Sequence, residues 1–174
     1  MKTCTYCGSP VVKEKNNQFY CTFCSMFIRN VQEDGNRIQV SFNEDPSEDD
    51  LKKTTPEIMV MSTVDMLFLL KLARKIRSSK YQELSAANAA ASNPDTSNEV
   101  TLARKDYEYF TKKMYTLENI IMQRIGFIPD RLDKKFFSTY VDNVRNGKKN
   151  KEPMRVFHSD IVQEDNHNES SDQV

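Results

Sequence analysis

The sequence predicts an α+β chain: a small N-terminal β-ribbon, a mainly α-helical domain organised as a three-helix bundle, and an acidic tail. Three observations predict it. All four cysteines fall in two CxxC pairs, Cys4-Thr5-Tyr6-Cys7 and Cys21-Thr22-Phe23-Cys24. Apolar residues from Ala103 to Ile121 recur at spacings of 4, 3, 4, 3 and 4, the period of one helix face. Residues 152–174 carry six acidic side chains against one basic. With 174 residues, 38% of them hydrophobic, the chain has room for one or two domains and is polar enough to leave segments outside any core.

The cysteines come first. Two residues between paired cysteines let both sulfurs of one turn reach a single ion at about 2.3 Å. Thirteen residues separate the pairs, slightly under the usual ~15–20, and suffice for two short strands and a turn. A tetrathiolate zinc site at Cys4, Cys7, Cys21 and Cys24 is therefore the first expectation. Iron, redox-labile thiols and disulfides are its alternatives. Two disulfides need an oxidising compartment, and Met1-Lys2-Thr3 opens no apolar signal segment. A thioredoxin-like pair needs one CxxC opening a helix after a strand.

The two pairs and their flanks resemble the zinc knuckles of the zinc-ribbon superfamily over about the first 42 residues. In that pattern the residue after the second cysteine is often Gly, free to take positive φ so that backbone N–H groups point at sulfur. Gly8 fits, and Ser25 departs from it. The resemblance implies a docking role on nucleic acid, polymerases or ribosomes.

Within the ribbon, residues 1–42, Val11–Lys15 and Gln18–Tyr20 flank Asn16-Asn17, which suits the positive φ of a tight hairpin turn. A second strand pair is expected from Met26–Ile28 through Asp34-Gly35 to Ile38–Phe42, whose alternation has period two. So small a sheet buries little, and the metal must supply folding free energy of order 10 kcal/mol. Residues 43–53 read as an acidic linker. The helical domain then spans 54–147. Its first helix is expected from Ser62 or Thr63 to about residue 81, capped there and with Asp65 in the first turn. Met66–Leu70 should make it the most buried helix, and Lys71, Arg74, Lys75, Arg77 and Lys80 should complement the dipole at its C-terminal end.

Residues 85–98 are Ala-, Asn- and Ser-rich around Asn93-Pro94; the Ala stretch could extend the first helix, but Pro94 ends it and leaves a mobile loop. The second helix, from about Glu99 to Ile125, carries the seam Ala103, Tyr107, Phe110, Met114, Leu117 and Ile121. That seam packs in the bundle or, alternatively, pairs with a second copy to make a homodimer. Gly126 supplies a left-handed cap and Pro129 blocks continuation. A third helix from Asp130 presents Leu132, Phe136, Tyr140 and Val144 at i+4 intervals and stops at Gly147. Residues 148–174 read as a flexible acidic tail, with His158 and His167 solvated.

Formal charge is zero, yet it is segregated. Residues 1–42 carry +2, 51–97 carry +3 and 98–151 carry +5, while 43–50 and 152–174 carry −5 each. Acidic residues keep flexible segments soluble, and the tail acids Asp160, Glu164, Asp165, Glu169 and Asp172 could also cover basic surface and compete with a polyanion. No apolar run reaches the ~18 residues that span a bilayer, so a cytoplasmic protein is expected.

Enzymatic chemistry is not expected. The four glycines, Gly8, Gly35, Gly126 and Gly147, form no phosphate loop, and the histidines sit in the tail. Catalytic zinc keeps a coordination position open, which four cysteines close. Two binding roles remain: an accessory of nucleic acid or the transcription machinery, and a protein-binding adaptor or inhibitor with no nucleic-acid affinity. Candidate contacts are Lys2, Tyr6, Lys13, Lys15, Tyr20 and Phe23 on the ribbon, with Lys71, Arg74 and Lys75 on the first long helix. Aromatics interleaved with lysines suit stacking and phosphate contact, and equally suit a small core around the metal.

Overall fold

The computed structural model describes residues 1–90 and 97–154. It comprises two compact units, one of Met1–Ile38 with residues 148–154, the other Gln39–Gly147. The expectations for Asn93-Pro94, for both histidines and for the tail acids lie outside the described residues.

In the first unit, β1 (Lys2–Cys4) pairs antiparallel with β5 (Val31–Glu33). A second sheet has the order β2 (Val12–Lys13), β3 (Phe19–Cys21), β4 (Met26–Ile28), all antiparallel. The hairpin between β2 and β3 turns through Asn16 (φ 75°) and Asn17 (φ 62°), the conformation that Asn accepts at low cost. The second expected hairpin does not form. Met26–Ile28 folds back on β3, the strand after it is Val31–Glu33, and Ile38–Phe42 is not a strand. Ile38 and Val40 are exposed, so the alternation of that stretch buries no face.

Part of the stretch expected as tail is tied to this unit. Lys148–Lys151 is a short helix, here α6, and Met154 N–H donates to Gly35 O at 2.7 Å while Arg37 Nε donates to Glu152 O at 3.1 Å. Gly35 has φ +71°, and a Cβ there would lie 3.0 Å from Met154 O. Only glycine meets both demands at that turn.

In the second unit, five helices share one core: α1 (Glu48–Lys52), α2 (Thr55–Met59), α3 (Thr63–Ala90), α4 (Ser97–Ile125) and α5 (Lys134–Asn146). Three capping boxes start the first three. Ser47 pairs with Asp50, Thr54 with Glu57, and Ser62 Oγ accepts from Asp65 N–H at 3.0 Å while Asp65 accepts from Ser62. The expected linker 43–53 is thus partly helical, and Leu51 is fully buried in the core. Three of its five acids form ion pairs: Asp49 with Lys52, Asp50 with Lys53, and Glu44 with Arg145, whose guanidinium also lies 5.1 Å from the Phe42 ring centroid.

α3 runs past the expected residue 81 to Ala90, so Lys71–Lys80 are mid-helix and the last turn holds no base. Alanine is the best helix former, and Ala86, Ala87, Ala89 and Ala90 sustain the helix over its last turns. On α4, Phe110, Met114, Leu117, Ile120 and Ile121 are buried in the core of their own chain, with Ala103 and Tyr107 half-buried. Gly126 ends α4 at φ +81°, its N–H donating to Met122 O at 2.9 Å. The third long helix begins at Lys134 rather than Asp130, capped by Asp133, which accepts from Phe136 N–H at 2.8 Å. Leu132 thus precedes the helix, and the buried face lies one residue later than expected. Phe137 and Val141 are buried and Phe136, Tyr140 and Val144 lie at the margin, with Phe137 stacked on Phe68 at 4.0 Å.

Candidate metal centre and the surface around it

Two knuckles build the centre. The first follows β1, where Cys4 N–H donates to Ser9 O at 2.8 Å and Gly8 N–H to Cys4 O at 2.9 Å. These bonds close a turn with Gly8 at φ 75°. The second follows β3, and Ser25 takes φ 53° at the equivalent place. The departure from glycine therefore changes the residue and not the turn. Thr5 Oγ1 donates to Asn30 O and pins the first knuckle to the segment before β5.

Ligand atoms of all four cysteines lie within 4.8 Å of one another. Tetrahedral zinc–sulfur bonds of about 2.3 Å imply sulfurs about 3.8 Å apart. Cys4 Sγ and Cys24 Sγ are 3.8 Å apart, and Cys7 Sγ and Cys21 Sγ 3.5 Å. Backbone N–H groups approach sulfur in both knuckles, Tyr6 N to Cys4 Sγ at 3.5 Å and Cys24 N to Cys21 Sγ at 3.4 Å. Such donors stabilise thiolates. The donor set, its spacing and its N–H groups fit zinc, and Cys4, Cys7, Cys21 and Cys24 would hold it. Four thiolates complete the coordination, which makes the metal structural: it supplies folding free energy and no open position.

The thiols titrate unequally. Burial opposes ionisation of Cys7, but hydrogen bonds from the Ser9 hydroxyl and N–H, with weaker ones from Cys21 and Cys24, bring it down to about 6. Hydrogen bonding to Cys7 and then burial push Cys24 up to about 12. Burial holds Cys21 above the ordinary range. Without a cation, one thiolate keeps its neighbours protonated, whereas a dication favours all four thiolates.

The remaining candidate residues divide. Tyr6 and Phe23, at matching places in the two knuckles, are 66% and 76% exposed. They are surface groups, not a core around the metal. Tyr20 is half-buried, with its ring in an edge contact with Phe27 at 5.2 Å. Lys2 lies over the Phe19 ring at 4.5 Å, and Lys13 and Lys15 are exposed. On α3, Lys75 is exposed and Lys71 lies over the Phe137 ring at 5.3 Å. Arg74 is taken up by the fold. Its guanidinium binds Glu118 at 2.8 Å and donates to Pro129 O at 2.8 Å and Asp130 O at 3.2 Å. It anchors the turn between α4 and α5.

Three exposed ribbon residues escape the sequence reading: Val12, Phe27 and Arg29. Val12 and Phe27 are lined up only by strand register, and the expected register of Met26–Ile28 was a different one. No helix among the described residues is long and apolar enough to cross a membrane. No protein-family model matches the chain, and neither curated proteins nor solved structures show a match to it.

Proposed function

We propose that this protein is a non-catalytic, zinc-stabilised accessory or regulatory protein that acts by binding nucleic acid, alone or within the transcription machinery. The observation that carries the reading is the exposure of Tyr6 and Phe23 on the two knuckles, on a ribbon that also presents Lys2, Lys13 and Lys15. Solvent-facing rings cost hydration free energy unless a partner covers them, and rings beside cations suit bases and phosphates together. A closed tetrathiolate centre supports a structural role for the metal and a binding role for the surface it holds.

Oligonucleotide binding measured across a salt series tests this. Affinity should fall steeply with salt, because each phosphate contact releases counterions. A variant with all four cysteines changed to Ser should lose binding with its zinc. Retention of a protein partner in pulldown, with no oligonucleotide binding even at low salt, would make the protein an adaptor instead.

A further inference from the structure

The three-stranded sheet has two unlike faces. Cross-strand partners share a face, so the register Val12↔Tyr20↔Phe27 sets three apolar side chains in one row, and Lys13↔Phe19↔Ile28 sets the next row on the other side. The second face packs on the metal centre: Cys21 and Ile28 belong to the core there, with Val11 and Val31 against it, while Lys13 and Met26 at its margin are exposed. The first is open, with Val12 51% and Phe27 57% exposed and Tyr20 half-buried. Arg29 follows β4 directly, is exposed, and makes no ion pair among the described residues.

We infer that this open row is a stacking platform for unpaired bases of a single-stranded nucleic acid, with Arg29 as its phosphate contact. The inference rests on the nucleic-acid reading above and narrows it to one ligand class and one set of residues.

Size and chemistry select this occupant. The row exposes on the order of 250 Å², against ~800 Å² per partner in a stable protein interface, so a second copy of the chain gains too little from it. The strands are also a poor template for an added strand. β4 has three residues and β2 has two. One or two bases match that area, and every base has a face that stacks on a ring whatever the sequence. Duplex DNA keeps its bases stacked inside and offers such a row only phosphates and groove edges. Ribbon charge suits a polyanion: five basic residues against three acidic over residues 1–38.

The test uses the zinc-loaded full chain and a labelled oligothymidylate of about 15 nucleotides, followed by anisotropy at low salt. Phe27→Ala and Tyr20→Ala should each weaken binding about tenfold, and Arg29→Ala severalfold with a shallower salt dependence. Both rings are on the open face, and zinc content with far-ultraviolet circular dichroism confirms that each variant is folded. The same sequence as a duplex should bind at least tenfold more weakly, and polyphosphate should compete poorly because it has no bases. Equal binding of polyphosphate and oligothymidylate, or of single strand and duplex, would reduce the interaction to charge and overturn the platform. Unchanged affinity in both ring variants would overturn it while leaving the nucleic-acid reading intact. No binding of any oligonucleotide would overturn both.

Discussion

Gly8 and Ser25 hold the same place in their knuckles and both take positive φ, yet only glycine does so without steric cost. At Ser25 the closed sulfur cluster compensates for that cost. Gly35 is a sterner case, because φ +71° and the carbonyl of Met154 exclude a Cβ together. Gly35→Ala should cost the ribbon unit about 1–2 kcal/mol. It should also speed hydrogen exchange at the Met154 amide, which donates to Gly35 O. Exchange as slow as in the parent would mean that the segment around Met154 holds without the turn.

The cysteines carry a pH prediction at the same scale. Without metal the ribbon loses its fold, and unfolded cysteine thiols, with a pKa of about 8.5, are protonated at neutral pH. Zinc must displace those protons, so binding should release up to about four protons per ion, and affinity should fall steeply as pH falls, by more than ~100-fold per unit. Proton release into weak buffer and chelator competition at two pH values measure both. Affinity independent of pH would mean that the thiols are already ionised.

Among the elements, α1 changes the picture most. Its five residues look like linker by charge, but Ser47-Glu48-Asp49-Asp50 is a capping box and Leu51 fills the helical core. The same S/T-x-x-D/E signal stands at Thr54–Glu57 and Ser62–Asp65, and only the last precedes a long apolar run. Acid counts obscured the first two. Leu51→Ala should cost about 3 kcal/mol, seen as a lower urea midpoint for the helical signal. A neutral substitution would return the segment to a linker. Arg74 makes a similar case: near the expected end of its helix it looks like a dipole partner, but it lies mid-helix and holds Glu118 and two carbonyls. Arg74→Met should cost about 2 kcal/mol, since the Glu118 carboxylate and two carbonyls lose their donor in a partly buried place.

At the scale of the whole molecule, the two units have cores of different kinds. One is four sulfurs with Ile28 and a few half-buried neighbours, the other an apolar cluster drawn from five helices. Chelation should therefore abolish the ribbon's structure and leave most of the helical dichroism, because nothing in the apolar cluster binds metal. Leu117→Asp should do the reverse, at a cost of several kcal/mol for a carboxylate in a fully buried site. Joint loss of both signals on chelation would show one cooperative fold instead of two.

The metal ligands, the first hairpin, the caps at Ser62 and Gly126 and the apolar face of α4 are legible in the sequence. Each depends on residues close in the chain: a two-residue spacing, an Asn-Asn turn, a helical period. What the sequence does not hold is pairing at a distance. The partner of Met26–Ile28, the fate of Leu51, the later phase of α5 and the engagement of Arg74 are decided by which surfaces meet. The same holds for the row Val12, Tyr20 and Phe27, since a shift of one residue in register turns every side chain of a strand to the opposite face.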